Sequence, residues 1–206
     1  MPNDSAIIFS EEIIQGELIS FISKFNVLEP AEVKEMATHI QVKAFHKGAV
    51  LLCEGKKTQS CFFVLKGLLR QYHLVDGIEK TIRFFEEEEA AVLFTEYMSQ
   101  AASNSTLVCV EDSILIIGSP EEEGVMYEQF PKLQQITRLM VERDLARTQD
   151  VLTRFVALSP MERYEYLLKE KPSLVQRVPQ HQLASYIGIT PESLSRIRKR
   201  MTDASR

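Results

Sequence analysis

Cysteine and histidine are scarce in this sequence, with three and four residues among 206. Cys53, Cys61 and Cys109 are odd in number and lack Cys-x-x-Cys spacing, so they predict no disulfide framework and favour a reducing cytoplasm. The histidines are scattered, and no pair of them stands with a carboxylate at the spacing of a metal site. The sequence therefore predicts no disulfide-stabilised secreted domain, no metal centre and no other cofactor.

Long apolar runs are missing as well. No stretch approaches the roughly 20 residues that span a bilayer, and the acidic N-terminus, MPNDSAIIFSEE, lacks the basic region of a signal peptide. Hydrophobic residues make up 45% of the chain and charged residues 26%, which are ordinary values for a soluble globular protein. We therefore expect a cytoplasmic protein that has no membrane partner.

Basic residues are concentrated near the C-terminus. From Arg177 to Arg206 there are six basic and two acidic residues, a net charge of +4. The whole chain carries −5, which leaves −9 for residues 1–176. Such opposed charge is expected when only one end of a chain contacts phosphate, although a solvated basic surface would give the same pattern.

Two helices and a run of β-strands are predicted in the first 117 residues. Apolar residues at helical spacing predict a helix over residues 11–25, and Pro30 begins a second. Short β-favouring runs then alternate with turns such as Asp76-Gly77, at a spacing typical of a sandwich or barrel. The predicted strands are Gln41–Phe45, Val50–Cys53, Cys61–Leu65, Leu68–Leu74, Lys80–Phe85, Thr106–Glu111 and Ser113–Ile117.

Helices are predicted after Ser119-Pro120, the longest of them over residues 129–158. This helix has two offset apolar stripes, which favour packing on its own domain and on a second copy of the chain. A single helix lying across its own core is the alternative. The first stripe is Leu133, Ile136 and Met140, and the second is Val141, Leu145, Thr148, Leu152 and Phe155. A further helix is predicted over Met161–Lys171, with inward Tyr164, Leu167 and Leu168.

Residues 180–200 predict a helix-turn-helix. Gly188 stands at the sharp turn that follows the inward residues Leu183, Ala184 and Ile187, where a positive φ is tolerated. Thr190 is the expected N-cap of the second helix, which begins with Pro191 and Glu192. Its inward residues are Leu194 and Ile197.

The outward side chains of the second helix suit DNA. Arg196 can bond guanine O6 and N7 in bidentate fashion, Glu192 can accept from cytosine N4, and Ser195 can meet a base edge. The basic residues beyond them suit phosphates. The predicted DNA-binding residues are Thr190, Glu192, Ser193, Ser195, Arg196, Arg198, Lys199 and Arg200. An ordinary helical hairpin with a solvated basic end is the alternative.

Three segments resemble the cyclic-AMP receptor and fumarate-nitrate regulator (Crp/Fnr) superfamily, and the resemblance covers nearly the whole chain. They are Phe45-x-Lys-Gly-x-x-Leu51-x-x-Glu54-Gly55, Phe62-Phe63-Val64-Leu65-x-Gly67, and Pro191-Glu192-Ser193-Leu194-Ser195-Arg196. The resemblance implies an α+β protein with a cyclic-nucleotide-binding-like β-roll (jelly roll) in a sensor domain over residues 1–128. It also implies a dimerisation helix over 129–158 and a helix-turn-helix DNA-binding domain over 159–206.

The same resemblance implies a transcription regulator and not an enzyme. Such a protein binds, as a homodimer, a palindromic operator in double-stranded DNA, with half-sites about 34 Å apart. RNA polymerase and an unidentified small-molecule effector are the other partners that it implies.

The chain departs from cyclic-AMP-binding members, which hold their ligand with a Gly-Glu pair and an Arg-Ser pair. Residues 86–96 stand in place of the Gly-Glu pair. Asn104-Ser105 stand in place of the Arg-Ser pair and are the expected effector-pocket residues. Without the guanidinium a phosphate loses its bidentate partner, so no tight cyclic-nucleotide binding is expected. Glu86–Glu89 are expected in a solvated turn.

The sequence lacks the residues that support two other sensing chemistries of the family. No cysteine precedes Cys53 to hold an iron–sulfur cluster, and the scattered histidines provide no pair of haem ligands. A thiol switch between Cys53 and Cys61 is an alternative to buried, inert cysteines.

The family usually continues into a β-hairpin wing, most of which is expected to be missing here because the sequence ends soon after Arg200. Weaker and more salt-sensitive DNA binding is therefore expected. The alternative function is a dimeric ligand-binding or protein-interaction adaptor that retains the helix-turn-helix as a scaffold. The outward Glu192, Ser195 and Arg196 argue against it, because a scaffold has no need of base-reading groups.

Overall fold

A computed structural model describes residues 9–58, 60–92 and 101–204. Residues 1–8, used in the signal-peptide prediction, and 93–96 of the acidic stretch lie outside these ranges. Contacts divide the chain into two compact units. The first contains the residues up to Arg70 together with Phe84–Asp144, and the second contains Gln71–Arg83 and the residues from Leu145 onward.

The described residues include eight strands: β1 Val42–Phe45, β2 Val50–Leu52, β3 Cys61–Lys66, β4 Leu69–Val75, β5 Ile78–Phe85, β6 Ala90–Ala91, β7 Thr106–Cys109 and β8 Ser113–Gly118. They form two four-stranded sheets, in the orders β1-β8-β3-β6 (sheet A) and β2-β7-β4-β5 (sheet B). All seven predicted strands are present, and β6 was missed because two alanines have no β-favouring signal. β8 pairs antiparallel with both β1 and β3.

Alternating side chains of sheet A contribute to two different hydrophobic clusters, as the two-residue period of a strand requires. Phe62, Val64 and Leu115 belong to the inner cluster, together with Leu52 and Leu107 of sheet B. Phe63, Leu65 and Ile114 belong to the outer cluster, which the first two helices cover. These helices are α1, Glu11–Ser23, and α2, Pro30–Ala37.

The segment after β8 forms two helices, α3 over Pro120–Gln129 and α4 over Lys132–Ala157. The first predicted stripe packs on the outer cluster, with Ile136 buried and Leu133 and Met140 partly buried. The apolar residues of the second stripe remain exposed in the single chain: Val141, Leu145, Leu152 and Phe155. The two faces of α4 therefore differ as the sequence predicted.

Four helices follow in the second unit: α5 Pro160–Glu170, α6 Pro172–Arg177, α7 Gln180–Tyr186 and α8 Pro191–Ala204. Tyr164 and Leu167 are buried as predicted, whereas Leu168 is 38% exposed, so its inward assignment was wrong. Leu168 follows Leu167 by about 100° around the helix and therefore lies off the buried stripe.

The acidic turn after β5 is only partly solvated. Glu87 and Glu88 are exposed, but Glu89 is only 5% exposed, so its assignment to a solvated turn was wrong. Glu89 is held inward by backbone pairing, because its carbonyl accepts from the amide of Val64 at 3.0 Å. Lys24 Nζ contacts Glu88 Oε1 at 2.5 Å. In the ranges described, no helix has the length and apolarity needed to cross a bilayer.

Candidate nucleic-acid interface

The turn between α7 and α8 depends on glycine. Gly188 has a φ of +80°, and a Cβ added there would stand 3.2 Å from Cζ of Phe155. Its amide donates to Ser185 O at 3.1 Å, and the Ile189 amide donates to Ala184 O at 3.0 Å. These bonds satisfy carbonyls at the end of α7, as in a glycine-containing helix C-cap. The predicted role of Gly188 is confirmed.

Thr190 caps α8 as predicted. Its hydroxyl accepts a hydrogen bond from the Ser193 amide at 3.3 Å, and its carbonyl accepts from the Leu194 amide at 3.0 Å. Hydrogen bonds from its own amide and from Thr190 hold the pKa of Glu192 below the usual value, and the nearby charge of Arg196 adds to this. Glu192 is therefore an ionised acceptor at neutral pH.

Opposite faces of α8 have opposite character. Leu194 is buried and Ile197 half-buried on one face. At about 100° per residue, Glu192, Arg196 and Lys199 fall on the other face, with Ser195 and Arg200 at its edges. All five of these polar residues are exposed. The packing of one face thus presents the predicted base-reading groups to solvent.

The basic side chains of α8 are available for an external anion. Arg198, Lys199 and Arg200 are exposed, and none of them is ion-paired within the described ranges. Arg196 donates from Nη2 to Ser193 Oγ at 3.3 Å, which holds its side chain along the first turn of α8. Of the predicted DNA-binding set, Ser193 alone is half-buried, and the other seven are exposed.

Sequence reasoning missed Arg163, which fixes the turn from within the second unit. Its Nη1 donates to Phe155 O at 2.9 Å and to Leu158 O at 2.7 Å, at the end of α4. Its Nε donates to Ile187 O at 3.1 Å, at the end of α7. The guanidinium also lies 4.5 Å from the ring centroid of Phe155. One cation therefore satisfies carbonyls at two helix ends, but no local sequence pattern marks it.

Ser185 on α7 is hydrogen-bonded to β5 of the β4–β5 hairpin, in the same unit. Its hydroxyl accepts from the Thr81 amide at 2.8 Å and donates to Glu79 O at 3.1 Å. Arg83 Nη1 donates to Thr148 Oγ1 of α4 at 3.2 Å. The hairpin is therefore bonded to the first helix of the helix-turn-helix, a connection between residues about 100 positions apart that sequence patterns do not reveal.

The expected effector residues lie in a turn before β7. Ser105 is fully buried, its amide donates to Ser103 Oγ at 3.1 Å, and its carbonyl accepts from the same hydroxyl at 2.9 Å. Asn104 between them is exposed. Arg70, at the start of β4, is a buried guanidinium that the sequence analysis missed, and neighbouring groups engage it. No cluster of potential metal ligands is found in the described ranges.

The cysteines differ in environment. Cys109 is buried, and burial raises the pKa of its thiol to about 11. Burial, with the nearby Glu123 carboxylate, also raises the pKa of Cys61. Cys53 is exposed, so it is not one of the buried cysteines that the inert alternative assumed. Because the thiolate is the reactive form, the raised pKa of Cys61 disfavours the thiol-switch alternative.

Known proteins resemble this chain in two ways: one family model matches part of its sequence, and several solved structures share its fold. Residues 42–121 match the family model of the cyclic nucleotide-binding domain. The chain is similar to CLP from Xanthomonas campestris, a c-di-GMP-responsive global regulator, with a TM-score of 0.67 and 16% identity, covering 86% of this chain and 93% of that one. FixK2 from Bradyrhizobium japonicum gives a TM-score of 0.64 and 16% identity, covering 81% and 86%.

A transcriptional regulator of the CRP/FNR family from Thermus thermophilus is similar as well, with a TM-score of 0.58 and 17% identity, covering 80% of this chain and 87% of that one. No curated protein matches the chain in sequence. The arrangement of β-roll, long helix and helix-turn-helix is thus shared with proteins of low sequence identity.

Proposed function

We propose that this chain, which has the Crp/Fnr regulator fold predicted from its sequence, is a sequence-specific DNA-binding transcription regulator. The α8 helix enters the major groove, where Glu192, Ser195 and Arg196 contact base edges. Arg198, Lys199 and Arg200 contact phosphates and position the helix. A DNA partner implies the cytoplasm as the compartment, and regulation implies contact with RNA polymerase.

The opposed faces of α8 carry this proposal. Leu194 is buried while Glu192 and Arg196, on the far side of the same helix, are exposed. Burial fixes which side chains face outward, and the Thr190 cap fixes where the helix begins. Any surface helix has a polar outer face, but that of α8 carries groups that suit base edges, together with basic side chains that suit phosphates.

The test begins with selection of bound sites from random double-stranded DNA, followed by fluorescence anisotropy on the selected site. Arg196→Ala should weaken binding by about 1–3 kcal/mol, roughly 5- to 150-fold, and relax specificity at one guanine. Lys199→Ala should weaken binding to all sequences alike and reduce the salt slope by about 1.

Arg138→Ala is the matched control, because Arg138 is an exposed arginine of the first unit that pairs with Glu142. It should bind the site as the parent does. If the parent selects no sequence, or Arg196→Ala keeps the full preference, DNA reading by α8 is refuted and the adaptor alternative stands.

We propose further that cyclic AMP is not the effector. The Ser105 backbone is bonded to Ser103, and Asn104-Ser105 stand in place of the Arg-Ser pair, so that position supplies no guanidinium as a bidentate partner for a phosphate. Calorimetry of the full chain should show no heat of saturable binding up to millimolar cyclic AMP. A dissociation constant in the low micromolar range would overturn this part, with Arg70 then the first residue to substitute.

A homodimer formed through the second stripe of α4 completes the proposal. Four large apolar side chains of the stripe are exposed, including Leu152 at 64%. A row of this kind at alternating spacings of three and four is the seam of a two-helix coiled coil. Two copies would then present two α8 helices to the two half-sites of a palindrome.

A further inference from the structure

The first unit contains a cavity of about 280 Å³ between sheet A and the helices packed on it. Phe63, Ala90 and Ile116 of β3, β6 and β8 line it on the sheet side. All three of these residues contribute to the outer cluster. The cavity therefore lies on the opposite face of sheet A from the interior of the β-roll, and it is separate from the turn that holds Asn104 and Ser105.

Helical side chains line other sides of the cavity, which is partly open to solvent, and most of them are apolar. They come from the four helices that the structure describes in this unit: Phe21 and Ile22 of α1, Met36 of α2, Met126 of α3, and Leu133, Ile136 and Met140 of α4. Flexible thioethers such as those of Met36, Met126 and Met140 adapt to ligands of different shape. An apolar cavity of about 150 Å³ holds one benzene molecule, so about 11 non-hydrogen atoms fit here by the same proportion.

The charged groups at the cavity have one sign. Glu122, Glu123 and Asp144 of α3 and α4 line it, and no lysine or arginine does so in the ranges that the structure describes. Ser119 Oγ donates to Glu122 Oε2 at 3.0 Å, and the Tyr127 hydroxyl donates to Glu123 Oε1. Neutral hydrogen-bonding groups are also present in Gln41 and Thr137. An anionic ligand would lie beside these carboxylates with no lysine or arginine among the described lining residues, whereas a hydroxyl or ammonium group would meet acceptors.

We propose that this cavity binds a neutral or cationic apolar molecule of about 11 non-hydrogen atoms, with its polar group beside Glu122 and Glu123. A ligand there touches α4 and sheet A together, so binding would stabilise the packing of Ile136 and Met140 on the sheet. The proposal does not depend on DNA binding by α8.

Three probes with the same ten-carbon chain test the charge argument: 1-decanol, decylamine and decanoate, each below its micellar concentration at pH 7.5. They compete with the fluorescent apolar probe 1-aminonaphthalene for the full-length protein. Decanol and protonated decylamine should displace the probe, while decanoate should require at least a tenfold higher concentration. Absence of saturable probe binding, or equal competition by decanoate and decanol, would overturn the proposal.

Two substitutions test the location. Ala90→Leu places three further carbons at the sheet side of the cavity and should weaken probe binding at least tenfold. Ala157→Leu makes the same change at the exposed end of α4, outside the cavity, and should leave probe binding unchanged. Equal effects of the two substitutions would place the probe elsewhere.

A charge variant keeps the proposal testable if Ala90→Leu fails to fold. Glu122→Gln combined with Glu123→Gln should strengthen decanoate competition several-fold and leave decanol unchanged. No change for decanoate would refute the role of the carboxylates. Probe binding confined to a monomeric fraction in size-exclusion chromatography would show that the cavity belongs to a subunit interface, which would also refute the proposal.

Discussion

Replacement of Arg163 by alanine tests how the helix-turn-helix is held together. The guanidinium donates three hydrogen bonds, at 2.7 to 3.1 Å, to carbonyls at the ends of α4 and α7. It also stacks at 4.5 Å on the ring of Phe155. A net hydrogen bond contributes about 0.5–1.5 kcal/mol, and an exposed cation–π contact about 0.5–1 kcal/mol.

The expected cost of Arg163→Ala is about 2–3 kcal/mol, in the lower part of the summed range. Arg163 is only half-buried, so water can partly replace the lost donors at Phe155, Leu158 and Ile187. With a urea m-value of about 1–3 kcal/mol/M, the midpoint for unfolding of the second unit should fall by about 0.7–3 M urea.

The assay is equilibrium urea unfolding followed by circular dichroism, together with DNA anisotropy. Arg163→Lys keeps the charge but cannot reach three carbonyls in fork geometry, so it should recover only part of the lost stability. Arg154→Ala is the matched control, because Arg154 contacts the Tyr166 ring at 4.2 Å and should cost at most about 1 kcal/mol. Two results would refute this account. One is an Arg163→Ala protein whose free energy of unfolding lies within about 0.5 kcal/mol of the parent's, the lower bound for one hydrogen bond. The other is full recovery of stability in Arg163→Lys.

Four further substitutions and one labelling experiment follow from the same structure. Gly188→Ala should destabilise the protein by about 1–2 kcal/mol, because Gly188 has a φ of +80°. Gly124→Ala is the control: Gly124 is helical and has no atom within 4 Å of the added Cβ, so the protein should become more stable by about 0.5–1 kcal/mol. Urea unfolding measures both changes. Ser185→Ala should remove the hydrogen bond that the Thr81 amide donates to Ser185 Oγ and speed the exchange of that amide. Leu152→Lys should shift the sedimentation coefficient towards a monomer. Iodoacetamide should label Cys53 first and Cys109, whose pKa is about 11, last, as mass spectrometry would show.

Sequence patterns predicted the elements whose signal is local. Thr190 caps α8 through the Ser193 amide, and Gly188 ends α7 with a positive φ. Both depend on residues within three or four positions, so they are visible in the sequence. The short strand β6 has no such signal, since Ala90 and Ala91 enter the sheet only by pairing with Phe63 and Phe62.

The contacts that complete the candidate site join distant segments, and the sequence does not reveal them. Arg163 reaches Ile187, which lies 24 positions further along the chain, and Ser185 reaches Glu79 across 106 positions. The sequence suggests that Glu89 is a surface carboxylate. It is buried instead, because its backbone carbonyl pairs with the Val64 amide. The cavity beside sheet A is a space between several elements, so no single segment encodes it.

Phe155 connects the proposed dimer face to the turn of the helix-turn-helix. It belongs to the exposed stripe of α4, yet its ring would touch a Cβ at Gly188 and carries the Arg163 guanidinium. Substitution of Phe155 would therefore change dimerisation and the position of the turn together, and loss of DNA binding would not distinguish them. Leu152 lies in the same stripe and outside those two contacts. Dimerisation itself raises the urea midpoint, so monomeric Leu152→Lys must be compared with the parent diluted until it is monomeric. An equal midpoint would separate the two roles, and a lower midpoint would show that the stripe also supports the fold of the single chain.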